Sequence, residues 1–168
     1  MHVFKFYTIM IFTALTMNSC FSQRNSNKDF VNKYFNESFE NFRNKGVVIR
    51  GYDNERNPML FISSDLEKAS ENGPYIVTID SKTSTIKKTS CHLMKDSINI
   101  DRNALDQLAM EFLKYHVHLL RVDKAGNVYV SLRTNERPTL IRFSDEKYIT
   151  ETYKNDWKKI KDNWFESQ

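Results

Sequence analysis

Short runs of β-branched and aromatic residues, each closed by turn-forming residues, constrain this chain more than any other feature. "VVIRGY" (47–52), "MLFISS" (59–64), "YIVTID" (75–80) and "TIKKTSCHLM" (85–94) come first. "VHLLRVD" (117–123), "NVYVSL" (127–132) and "TLIRF" (139–143) follow. The separators "DNERNP", "ENGP", "SKTS" and "KAGN" supply the Asn, Gly, Pro and Ser that interrupt a ladder. Runs this short, with such brief connections, suit antiparallel strands with one face on a core. "DLEKAS" (65–70) is long enough for one helical turn.

Three helices are expected around that sheet. Phe30, Tyr34, Phe35, Phe39 and Phe42 fall within about half of a helical wheel, and Gly46 follows where a stop belongs, which predicts a helix over 28–44. Leu105, Leu108, Phe112 and Tyr115 recur at spacings of three and four behind Asp101, a suitable N-cap, and predict a second. Tyr153, Trp157, Ile160 and Trp164 form an aromatic stripe that predicts a third at the C-terminal end. The expected class is α+β: an antiparallel sheet of six or seven short strands packed with three helices, in a single domain spanning 29–168. No internal repeat is evident, although helix followed by strands occurs twice. No βαβ alternation or Gly-rich phosphate loop points to a nucleotide-binding fold.

Composition agrees with a packed domain. Hydrophobic residues make up 40% and aromatics 13% of 168 residues, enough for a core rather than a disordered chain. The formal net charge of +4 is mild, so no nucleic-acid partner is expected.

The start of the chain reads differently. Lys5 precedes an uncharged run from Phe6 to Leu15, and small or polar residues follow. That is the three-part pattern of an export signal, and the run is shorter than the roughly 20 apolar residues a bilayer-spanning helix needs. The stretch "LTMNSC" resembles a bacterial lipobox, with Ser19 before the cut and Cys20 as the cysteine that receives lipid. With Met17 where Leu is commonest, it is similar to lipoproteins of the Bacteroidetes. The resemblance implies a signal peptide over 1–19, a lipidated start and polar spacer over 20–28, and a cell-envelope address facing the periplasm or exterior. Two or more acyl chains hold stably where one binds marginally, so a lipidated Cys20 tethers a chain to a membrane without a spanning helix. With Cys20 blocked, Cys91 stands alone and no internal disulfide can form.

Candidate chemistry is sparse. His116 and His118 would share a face on a strand, where they could meet one metal ion, but would diverge on a helix. No carboxylate nearby completes a ligand set, so two ordinary histidines are the plainer reading and no cofactor is expected. Cys91 beside His92 lacks the surroundings of a cysteine nucleophile. Asp53, Glu55 and Arg56 cluster in "GYDNERN", which suits a solvated turn better than a site. "VDKAGNVYV" resembles the turn-strand unit of β-propellers, and a single copy signals a hairpin. "DSI" resembles the O-glycosylation motif of exported Bacteroidetes proteins, with Ser97 as acceptor. Tyr153, Trp157 and Trp164, flanked by Lys154, Lys158, Lys159 and Lys161, make a candidate partner surface, although such a stripe is more often docked on a sheet. These observations lead to an envelope-tethered, non-catalytic binding domain with a possible protein partner there. An immunity protein against a periplasmic toxin is one form of it; a small envelope hydrolase or metal-binding protein is the rival.

Overall fold

A computed structural model describes residues 27–68, 74–91, 101–134, 137–149 and 156–168. The chain divides into two compact units, Met1–Glu37 and Ser38–Gln168. In the first, residues 27–33 form a helix, α1, and the Phe30 and Tyr34 rings sit 4.8 Å apart.

The described residues of the second unit form one nine-stranded sheet in which every neighbouring pair is antiparallel. In chain order the strands are β1 (Lys45–Tyr52), β2 (Pro58–Ser63), β3 (Tyr75–Ile79), β4 (Ile86–Cys91), β5 (Leu119–Val122), β6 (Val128–Ser131), β7 (Leu140–Arg142), β8 (Trp157–Lys161) and β9 (Trp164–Ser167). Across the sheet they run β4-β3-β2-β1-β5-β6-β7-β9-β8. Helix α2 (Arg102–Leu113) connects β4 to β5 and lies against β2 and β4. Asp101 caps it by accepting a bond from Ala104 N–H at 3.1 Å, and Leu105, Leu108, Ala109 and Phe112 form its buried face.

This is a mainly-β fold, which corrects the expected α+β class with three helices and six or seven strands. Two of the three expected helices account for the difference. The first stops at residue 33. Phe39 adopts a left-handed φ of 52°, and Glu40–Phe42 make a single 3-10 turn. Phe39 and Phe42 are buried against Tyr115 rather than arrayed along a helix. The C-terminal helix is instead a hairpin of β8 and β9, turned by Asp162 and Asn163 between the paired Lys161 and Trp164. A bulge at Ile160 puts one extra residue into β8. The bulge breaks the two-residue alternation and leaves Trp157 and Ile160, three apart, as the half-buried positions of that strand. Spacing of three on a bulged strand imitates a helix.

Alternate strand residues build the main core: Val47, Leu60, Ile62, Val77, Leu120, Val130, Leu140 and Trp164 are all buried. Ile141, Phe143 and Phe165 form a second buried cluster, with Tyr129, Tyr148 and Trp157 packed against it. Ile141 and Phe165 are register partners next to Leu140 and Trp164, so the C-terminal part of the sheet is covered on both faces.

The sheet contains a repeat that the sequence hides. Strands β1-β2-β3 and β5-β6-β7 run outward in opposite directions from the antiparallel β1–β5 seam. Gly51↔Met59 and Tyr52↔Pro58 in one half stand where Arg121↔Tyr129 and Val122↔Val128 stand in the other. Met59↔Thr78 and Leu60↔Val77 likewise correspond to Tyr129↔Ile141 and Val130↔Leu140.

The two first hairpins also share one turn. Asp53 N–H donates to Asn57 O, and the Asp53 carboxylate accepts bonds from Asn57 N–H and Asn57 Nδ2. Asp123 and Asn127 repeat all three. Each asparagine then offers Oδ1 to the chain beyond the third strand, to Ser81 N–H in one half and Ser144 N–H in the other, both at 2.9 Å. The residue before each asparagine has a positive φ, 64° at Arg56 and 91° at Gly126. The turn in "VDKAGNVYV" is therefore one of two.

Candidate functional site

Seam and helix meet at the residues that precede β5. After α2, His116 takes a left-handed φ of 52° and turns the chain toward the sheet. Val117 is buried, and His118 is then pinned by its backbone between two strands. His118 N–H donates to Ser131 O at 2.7 Å, and its carbonyl accepts from Ile49 N–H at 2.9 Å.

On the other side of this junction β1 carries a bulge at Arg50, since the register shifts between Ile49 and Gly51. Beyond it Tyr52 stands 62% exposed, and Met110 is the other exposed large apolar residue among the described ones.

Between the junction and the end of β1 lies an open groove of about 530 Å³. Its lining includes Ile49, Arg50, Tyr52, His118 and Thr134. An adjoining hollow of about 400 Å³ shares Ile49, Tyr52, His118 and Thr134 and adds His116 and Arg133. Volumes of this size fall in the range of ligand clefts. The described lining carries the positive charge of two arginines, with two imidazoles and no carboxylate. Partial burial lowers the His118 pKa, and the Arg50 charge lowers it further. Arg50 itself leans over the Phe61 ring, 5.9 Å from its centroid. Such a surface offers donors and positive charge to an anionic group.

His116 and His118 both line this hollow. Among the described residues, no three His, Cys, Asp or Glu side chains gather as a metal site would require. Cys91 ends β4 and is half-buried. The Asp53–Glu55–Arg56 cluster is the turn described above; Lys87 reaches Glu55 at 2.6 Å and Asp53 at 3.7 Å. Bonds from Asn57 are the chief cause of the lowered Asp53 pKa.

Trp164 is 0% exposed, edge-on to Phe39 at 6.4 Å and beneath the Arg142 guanidinium, so it packs the core. Trp157 is half-buried and lines a separate groove of about 590 Å³ with Arg137, Pro138 and Asp156. Cys20, His92, Ser97 and Tyr153 lie outside the described residues. Arg50, Tyr52, Arg133 and Thr134 were not marked by sequence. Only Arg50 and Tyr52, inside the run "VVIRGY", carried a hint, as polar residues late in a strand.

Among the described residues, no helix is long and apolar enough to cross a membrane. Comparisons with protein-family models, curated proteins and solved structures each give no match.

Proposed function

We infer that this protein is a lipid-tethered component of a bacterial cell envelope whose folded domain binds another protein rather than turning over a substrate. The carrying observation is the position of Cys20, directly behind an apolar run too short to span a bilayer and inside the lipobox-like "LTMNSC". Acylation there fixes the domain at a membrane surface, where a binding partner meets it at high effective concentration. The basic groove, with an exposed tyrosine at its rim, supports binding as the domain's task. Blocking a toxin that reaches the periplasm is one concrete form of that task.

The tether is tested by growing cells with radiolabelled fatty acid. Wild-type protein is expected to carry label in the membrane fraction, and Cys20→Ala to carry none; label persisting in the variant defeats the reading. Binding is tested by cross-linking and isolation from envelopes, where one stoichiometric protein partner is expected.

A further inference from the structure

We propose that the groove beside Arg50–Tyr52 receives an extended acidic segment of a partner protein, added as a strand to the open side of β1. The inference rests on the binding reading above and names the partner's chemistry.

The argument starts from the repeat. Gly51 and Tyr52 in β1 occupy the place that Arg121 and Val122 occupy in β5, with Arg50 the extra residue of the bulge before them. Leu120, Arg121 and Val122 are paired across the seam with Val47, Gly46 and Lys45. The same relation applied to Gly51 and Tyr52 calls for strand partners at residues 116 and 115. Those residues are instead the turn that leaves α2, with His116 at its left-handed φ. Pairing across the seam therefore stops at Val48↔Leu119, with a last bond from Ile49 N–H to His118 O. Among the described residues, no strand pairs with Arg50–Tyr52 on that side. The groove of about 530 Å³ opens along this stretch. In the other half of the sheet the corresponding place is filled by chain.

Charge selects the occupant. An open strand side offers main-chain hydrogen bonds to any extended peptide, and the flanking side chains decide which one. Here Arg50 and Arg133 supply the charge, the His116 and His118 imidazoles lie beside them, and no described lining residue is acidic. Arg50 and Arg133 are exposed and so positioned to meet carboxylates at the rim. Tyr52 supplies a rigid aromatic surface for an apolar side chain between them. An extended segment alternating acidic and apolar residues satisfies all of these at once.

The test is fluorescence anisotropy with the purified full chain and a short labelled peptide alternating Val and Glu. Saturable binding is expected. A Val–Lys peptide should fail to bind, and Arg50→Glu or Arg133→Glu should weaken binding by at least about tenfold. Methylating alternate backbone nitrogens of the Val–Glu peptide should weaken it by a similar factor, because strand addition needs those donors. Circular dichroism confirms that both charge-reversed variants remain folded.

Absence of binding overturns the proposal. Equal binding of the N-methylated peptide overturns it in favour of simple charge attraction, as does equal competition by inorganic phosphate. An envelope partner still captured by Arg50→Glu protein keeps the broader binding reading and removes this groove. Loss of the Cys20 tether with peptide binding intact does the reverse.

Discussion

Single side chains do much of the turn-making in this protein. Asn127 is buried and serves three groups: its amide donates to Asp123, and its oxygen accepts from Ser144 N–H and Ser144 Oγ. Asn127→Ala removes the part-buried bonds to Asp123 and Ser144 and loosens the turn, so a cost of about 1–2 kcal/mol is expected in urea unfolding. Asp53 and Asp80 respond to acid. Bonds from Asn57 chiefly lower the pKa of the first, and the backbone N–H of Thr83 that of the second. A carboxyl with a folded pKa below its unfolded value stabilises above the unfolded value, and that contribution fades as pH falls through the folded one. The urea midpoint should therefore drop below about pH 4, and Asp53→Asn should flatten the slope there. His118 shifts for other reasons, burial first and Arg50 second. Arg50→Gln should raise the pH at which its imidazole titrates, as read by NMR; no change would separate the two groups.

At the scale of elements, the repeated turn makes opposite demands on its two copies. Arg56 and Gly126 occupy the same position with positive φ, yet only one is glycine. A side chain in that region is strained, and a Cβ on Gly126 would also come within 3.3 Å of the Arg43 guanidinium. Gly126→Ala should cost about 1–2 kcal/mol, whereas Arg56→Gly should leave thermal stability unchanged or raise it by up to about 1 kcal/mol. If both substitutions destabilise equally, the two turns are not equivalent. The runs that became β1 to β7 were legible because each is short, rich in β-branched or aromatic residues and bounded by turn-formers. The final hairpin was not, because the Ile160 bulge spaces its half-buried residues as a helix would. The aromatic pattern runs past its helix for a related reason: a wheel records angles, not the turn over 34–36 or the left-handed Phe39. The repeat stayed hidden because little beyond Asp and Asn recurs within the turns at 53–57 and 123–127.

For the whole sheet, the exposed edges matter most. The outermost strands are β4 and β8, and both carry exposed lysines beside a bulge: Lys87 and Lys88 on one, Lys158, Lys159 and Lys161 on the other. Rows of like charge beside local distortion discourage either edge from pairing with the same strand of another copy. Replacing Lys158 and Lys159 together with Val should produce concentration-dependent association on size-exclusion chromatography, while wild type elutes unchanged over the same range. The groove at Arg50–Tyr52 could not be read from the sequence, since it exists only where β5 stops short of β1's end. That boundary comes from a contact between distant segments.

The seam also bears on how the chain reaches its native state. Within each half the strands join sequence neighbours through hairpins, whereas β1 and β5 bring together residues as distant as Lys45 and Val122. Closing that long loop carries the larger entropic penalty, so the two meanders should assemble first and zip along their shared border last. In a kinetic experiment, a lesion at Val47 or Leu120 would then accelerate unfolding more than it slows folding.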